Sequence, residues 1–501
     1  MSNLTTNIVD YQKSRRKVIG LFSVTFAICL ALYAFFGYLY KGWIFGADAQ
    51  GFYMIGRSLY FDHDFDFTNE LQLDPRPGNL GTEIHLTETG KIDNHAPIGY
   101  ALLTQPFFLL ADIITGSSNY LLRTKLPYDG YRGVFGILVP FATMIYGFVG
   151  GYLAYKVIAM FFDKVIASLA INIIILSTSL LWYITGQVTM VHIHSFAALS
   201  ALMYSTMPFF KRDISETCPN LPELVQAGRY PSPPERHCRA GERRRRAGRR
   251  VGILRYVCVG SFLALATMIR FQNAIFALVP IVAMAQHLFG QKDDGNREPL
   301  LNLIGKISLG VFSTFICFIP QIFYYKVVYD SYSVTGSYLG HGWSFDFSKP
   351  ELLKTLFSTN HGLFLWNPIT LISCLGICLL FYRIKDGRLF IFLLSICFVL
   401  TWYIVASWDY MLANSFGNRG FDGSTLFFAL GWAEILDRLW KKKKIVTSAC
   451  IMLVLWNVQL LMQQRYLGWL PIHGDVSYLQ VFKSYKKLPD EWKRIKMKYF
   501  F

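Results

Sequence analysis

Asp48, in the stretch FGADAQGFYMIGRSLYFDHDFDFTNE (residues 45–70), is a carboxylate set just beyond the first long apolar run of the chain. Phe52 and Tyr53 follow it closely and would hold it near a membrane interface. A carboxylate placed there can act as a general base toward an acceptor hydroxyl. The same residue type also serves as an N-cap or a solvated loop charge. Further along, Asp62, Asp64 and Asp66 are interleaved with Phe61, Phe65 and Phe67. Three carboxylates could ligate a hard divalent cation. Alternation suits an extended segment with one polar face equally well, and no further ligand motif accompanies it. The structural reading is preferred: a divalent metal is possible but unsupported, and no metal or other cofactor is expected.

Other polar residues stand out against apolar surroundings. Lys91, Asp93, Asn94 and His95 precede Pro97. His95 could contact a phosphate, or the group could simply open a helix. His192 and His194 are spaced i, i+2, which puts them on different faces of a helix and excludes a metal pair there. Arg270 interrupts ALATMIRFQNAIFALV. An arginine at membrane depth points to function, a lipid phosphate being a natural partner, although a turn arginine snorkelling to headgroups is an equal reading. Arg419, in SFGNRGF close to Trp408, Asn414 and Asn418, has the same claims.

The elements that must position these residues are membrane helices. The 501 residues are 53% hydrophobic and only 16% charged, whereas soluble domains carry about 25% charged residues. Apolar blocks of about 20 residues, the length that crosses a bilayer, recur along the chain. The expected architecture is therefore an all-α polytopic membrane protein. The net charge of +17 gathers in short loops between the blocks, which membrane topology explains without nucleic acid. Most of the nine cysteines lie inside apolar runs, with only Cys218 and Cys238 in a loop, so neither a disulfide framework nor a zinc site is expected.

Residues 1–17 end in KSRRK and are expected in the cytoplasm, while the apolar run that follows is too long for a signal-peptide core and should stay as an anchor. Twelve apolar blocks fall between 18 and 464. If all crossed, the loop 211–250 with its RAGERRRRAGRR would face outward, against the positive-inside rule. Treating 97–115, which holds Pro97, Gly99 and Pro106, as a re-entrant or juxtamembrane helix within an outer loop 41–131 restores the rule. About 11 spans then remain within 18–464. The Arg-rich loop 211–250 becomes cytoplasmic, with an inserted or frameshifted origin equally open, and the tail 465–501 falls outside. Asp48, His194, Arg270, His361 and Arg419 gather on the outer side.

Several stretches resemble one family. NHAPIGYALLTQPF (94–107), MVHIHSF (190–196), MIRFQN (268–273), HGLFLWNP (361–368) and SFGNRGF (415–421), behind an acidic first outer loop, are similar to the GT-C class of membrane glycosyltransferases. Within that class the likeness is to bacterial relatives of protein mannosyltransferases and of the lipid A aminoarabinose transferase. It is spread over 18–465 except 211–250.

The resemblance implies a polyprenyl-phosphate sugar donor bound in the bilayer and a glycan, lipid or protein acceptor. It gives Asp48 the position of the base. His95 stands where several relatives carry lysine, and His194 where many carry aspartate. Arg270, Arg419 and His95 would hold the donor phosphate, with Tyr53, His194, His361 and Trp408 binding substrate or shaping the site. One displacement would invert the anomeric centre. The expected place is the inner (plasma) membrane, among membrane lipids. The alternatives are a flippase or transporter of lipid-linked sugars, and a non-catalytic scaffold. A transporter needs polar residues along a path through the midplane, whereas here they collect on one face.

Overall fold

The computed structural model describes residues 2–43, 46–73, 85–210, 251–289, 298–332, 345–385, 387–408, 416–472 and 474–490. The Arg-rich loop 211–250 lies outside them. The principal helices are α1 (Ser2–Leu39), α2 (Ala47–Phe61), α3 (Gly99–Leu121), α4 (Gly133–Ile158), α5 (Lys164–Ser177), α6 (Leu180–Thr185) and α7 (His192–Thr206). They continue with α8 (Ile253–Ile269), α9 (Leu278–Phe289), α10 (Leu300–Tyr329), α11 (Pro368–Arg383), α12 (Arg388–Ala406), α13 (Thr425–Leu439) and α14 (Lys443–Leu461). Among the described residues there is no β-sheet, only the bridges Leu86–Ile92 and Phe345–Trp408. Among the described residues, six helical segments are long and apolar enough to cross a membrane, and 164–177, 253–269 and 368–383 are shorter apolar helices.

Hydrophobicity alone cannot pull helices together in lipid, so close packing of small residues does much of that work. A Cβ on Gly376 would lie 2.0 Å from the Gly431 carbonyl oxygen, and one on Gly260 2.0 Å from that of Gly310. These pairs let α11 meet α13, and α8 meet α10, backbone against backbone.

Two chain breaks create the places where polar groups converge. Between α5 and α6 the helix stops at Thr178, and Asn457 of α14 donates to the carbonyls of Leu176 and Thr178, at 2.9 Å each. After α8 the backbone of Arg270 is extended (φ −153°, ψ 122°), and a 3₁₀ stretch, Phe271–Ala277, follows. The Asn273 amide donates to the Ala266 carbonyl at 2.9 Å and to Ser195 Oγ at 2.8 Å. Side-chain amides thus take over carbonyls that a broken helix would leave unpaired at membrane depth.

Helix α3 differs in one respect from the sequence expectation. The sequence predicts a ladder broken at Pro106, yet Gly99–Leu121 is continuous with Pro106 inside it. The Thr104 hydroxyl and the Gln105 amide donate to carbonyls of the turn that the proline disturbs (Tyr100 and Ala101), and Gln105 also ties α3 to the Gly56 carbonyl of α2 at 3.0 Å. The two halves of α3 meet different neighbours. A Cβ on Gly99 would touch the Met268 and Ile269 backbone at the end of α8. Asp112, toward the other end, accepts from Tyr60 of α2 at 2.6 Å.

Candidate active site

Gly46, at φ 91°, opens α2 and sets Asp48 in its first turn. The Asn94 amide holds this helix by donating to the Gly51 carbonyl at 2.9 Å, so the segment before Pro97 and the segment around Asp48 are fixed to each other. Across from Asp48 comes the chain preceding α13. Asn367 donates to the Gly417 carbonyl at 2.7 Å, and Asn418, left-handed at φ 53°, accepts from the Gly420 amide. From there Arg419–Ser424 runs as a 3₁₀ turn into α13. In that turn residues i and i+3 eclipse, which stacks Asp422 behind Arg419.

The result is a linked set of charges. Arg419 Nη2 meets Asp48 Oδ2 at 2.9 Å. Asp422 Oδ2 lies 2.9 Å from His192 Nδ1, and Ser179 donates to Asp422 Oδ1 at 2.9 Å. Arg270 donates to the Arg419 carbonyl at 3.3 Å and to Gln272 at 3.1 Å, and its guanidinium stands 3.4 Å from His192 Nδ1. Gln272 in turn donates to the Gly420 carbonyl at 2.9 Å. The Tyr183 ring lies against His192, centroids 4.3 Å apart. Asp48, His192 and the 3₁₀ turn all sit at helix N-terminal ends, where unpaired amides favour an anion.

Asp48 keeps 41% of its side-chain surface open, while the side chain of Arg419 keeps 16%. Crowding by protein groups works against the charge of Asp48, yet Arg419, His95 and His192 outweigh it, and its carboxyl titrates below the usual carboxylate value. A group that is both crowded and open faces a cleft. Crowding likewise opposes the charge of Arg419, but Asp48 and Tyr183 hold its pKa above the usual arginine value. The pair is fully ionised at neutral pH.

The structure brings together Asp48, Arg419 and Arg270, with His95 within electrostatic reach of Asp48. The other sequence-predicted residues have different surroundings. Tyr53 is buried in a second cluster with Phe108 and Phe135, its hydroxyl donating to the Gly130 carbonyl at 2.6 Å. His194 packs between the rings of Tyr100 and Tyr146, at 4.8 and 5.3 Å. His361, left-handed at φ 58°, pairs with the Ile472 carbonyl at 2.9 Å and lies against Trp366. Trp408 stacks near Phe345 beside Ser407, whose carbonyl accepts from Asp346. Asp64 and Asp66 accept hydrogen bonds within their own turns, from Ser58 and Thr68, while Phe65 and Phe67 are buried.

Sequence reasoning missed Asp422, Ser179 and His192 as partners of one another. Asp422 left a usable signal: a lone carboxylate at the head of an apolar block, directly after SFGNRGF. Among the described residues no three His, Cys, Asp or Glu side chains form a group able to hold a metal ion.

No protein-family model matches the chain, and no curated protein does. Among solved structures it is similar to ArnT from Cupriavidus metallidurans bound to undecaprenyl phosphate, with 12% identity and a TM-score of 0.45, covering 89% of this chain and 65% of ArnT. The apo state of that ArnT gives 13% and 0.47, over 91% and 67%. It is also similar to the archaeal oligosaccharyltransferase AglB from Archaeoglobus fulgidus in complex with an inhibitory peptide and a dolichol-phosphate, with 12% identity and a TM-score of 0.44, covering 94% of this chain and 54% of AglB.

Proposed function

We propose that the chain is an inverting membrane glycosyltransferase that moves a hexose or pentose from a polyprenyl-phosphate donor to an acceptor hydroxyl. The observation carrying this reading is the open Asp48–Arg419 pair, joined through the Arg419 carbonyl to Arg270 and set at converging helix N-termini of an apolar bundle. Asp48 accepts the proton of the acceptor hydroxyl as that oxygen attacks the anomeric carbon. The anomeric carbon–phosphate oxygen bond breaks, and its electron pair leaves on the lipid phosphate. Arg419 and Arg270, with His95 nearby, neutralise the charge that grows there. The site faces outward from the plasma membrane, with the N-terminus in the cytoplasm.

The test compares a deletion strain with strains expressing wild type or Asp48→Asn. Deletion and the variant should both accumulate the lipid-linked sugar and lack one envelope sugar modification, which wild type restores. Movement of lipid-linked sugar between leaflets by purified protein, with no glycosidic bond made, would favour the flippase reading.

A further inference from the structure

Arg419 has two demands on its one guanidinium. It is the ion-pair partner of Asp48 at 2.9 Å, and under the proposed function it is also a partner of the donor phosphate. Arg270 does not duplicate it, since Arg270 is turned to the Arg419 carbonyl, Gln272 and His192. Asp422 backs the same 3₁₀ turn through Ser179 and His192, so the backbone under Arg419 is anchored while its side chain reaches forward to Asp48. An anchored base with a long, partly open side chain is suited to changing partners.

We propose that the Asp48–Arg419 ion pair is a donor-sensing latch: an incoming lipid phosphate takes Arg419 from Asp48, and only then is the carboxylate available to an acceptor hydroxyl. This rests on the proposed glycosyl transfer and adds an order to it. Without donor, Arg419 Nη2 holds Asp48 Oδ2 at 2.9 Å, and a hydroxyl meets a carboxylate already paired with a counter-charge. With donor bound, the phosphate matches the guanidinium fork and Asp48 loses its counter-charge. It then becomes a stronger base at the moment a sugar is present to receive the attack. The proton passes from acceptor oxygen to Asp48, the new glycosidic bond forms, and the phosphate leaves with the electron pair, paired to Arg419. Release of the lipid phosphate restores the latch.

Competition for one arginine makes an unusual prediction. Asp48→Asn, which stops transfer, should tighten the binding of polyprenyl monophosphate to the full-length protein in lipid nanodiscs by about 3- to 10-fold, because Arg419 no longer has to leave a carboxylate. Removing a negative charge near a phosphate also helps by simple repulsion. The double-mutant cycle separates the two effects. In an Arg419→Gln background the gain from Asp48→Asn should shrink to less than twofold if the latch is real. It should persist in full if repulsion is the whole cause. Arg419→Lys keeps the charge and should retain most of the gain, which guards against a glutamine variant that fails to fold. Equal gains in both backgrounds, or no gain in the wild-type background, overturn the latch while leaving the transfer reaction standing. A wild-type protein that binds no polyprenyl monophosphate at all overturns the proposed function and the latch with it.

Discussion

Helix α13 joins two arginine–carboxylate clusters of the same chemistry and opposite character. At its far end Glu434 is completely buried, with one oxygen 2.6 Å from Arg438 and the other 2.8 Å from Arg383, and Asp437 contacts Arg383 as well. Arg383 also covers the Phe162 ring at 5.1 Å. Every charge there has an opposite neighbour, and Arg438 in the last turn complements the helix dipole. Just ahead of the near end, Arg419 meets a carboxylate that is 41% open, and the positive end of the dipole adds to the arginine. At the far end the Glu434 carboxylate is closed off beneath two partly exposed arginines and braces α11 against α13, whereas at the near end the carboxylate is the open member of its pair. The presence of an ion pair says little about its role, whereas closure says more.

The first way to break this comparison is to show that the two ends face the same side of the membrane. The far cluster is continuous with Lys441–Lys444, and residues beside it join chain segments around 162 and 390, since Phe161 stacks on Phe390 at 6.1 Å. The near cluster is tied to the segment before α3, since Asn94 donates to the Gly51 carbonyl of the helix that carries Asp48. In a cysteine-free background, Ser117→Cys should react fully with an impermeant thiol reagent added to intact cells, and Lys442→Cys should react only after permeabilisation. Labelling of both from one side would break the contrast, and labelling of Ser117→Cys only after permeabilisation would cancel the assignment of α3 as a non-crossing helix.

The second is a crossed pair of substitutions. Asp48→Asn should lower the transfer rate about 10²- to 10⁴-fold, the usual effect of losing a general base, with thermal unfolding in detergent within a degree or two of wild type. Glu434→Gln should do the reverse. It strands two guanidinium groups that are a third to a half exposed. The cost should therefore be about 1–3 kcal/mol, below the 3–5 typical of a fully buried pair. Turnover per folded molecule should be unchanged. A Glu434 variant that unfolds no earlier but turns over slowly would put function at the closed end.

A smaller effect concerns the arginines. Arg419→Lys and Arg270→Lys should each raise the donor concentration needed for half-maximal transfer by about tenfold, since lysine keeps the charge and loses the two-pronged geometry. The alanine variants should be worse. Arg383→Lys, at the closed end, should leave donor dependence untouched.

How much of this was legible in the sequence follows from what each residue had to signal. The helices were readable because lipid demands long apolar runs: α4, α10, α12 and α14 fall within a few residues of the apolar blocks 132–160, 302–327, 388–406 and 446–464, while α1 starts well before the block 18–40. Asp48, Arg270 and Arg419 were readable because a charge beside an apolar run is costly and conspicuous. Ser179 was not, since a serine at a helix break looks like any cap until Asp422 arrives from a residue far along the chain. Tyr53, His194, His361 and Trp408 came from the resemblance, and in the fold they pack against rings or meet backbone carbonyls. Arg465 was set at the start of the tail, but it closes α14 in a π turn, over the Trp182 ring at 5.2 Å.

One further cluster separates closure from location. Arg57, Asp62 and Glu70 lie on or just after the helix that carries Asp48, yet Glu70 is fully buried and takes Arg57 at 2.8 Å. If location were enough, Glu70 should matter for transfer; if openness is what counts, it should not. Burial is the main cause that pushes the Glu70 carboxyl up to about 7, from 4.5, with Arg57 opposing and Asp62 reinforcing the rise. The folded protein therefore holds this proton more tightly than the unfolded chain does. Stability is greatest below about pH 4.5, falls as pH rises toward 7 because unfolding then releases the proton, and is flat above that. Glu70→Gln keeps the shape without a titrating proton. The variant should lose that decline and be about 1 kcal/mol more stable than wild type at pH 7.5, with transfer within twofold of wild type. Unfolding curves of the two proteins at pH 5 and 7.5 provide the check. A variant as pH-sensitive as wild type would remove Glu70 as the source of the slope. One that folds but no longer transfers sugar would show that a closed carboxylate on this face can still serve the reaction.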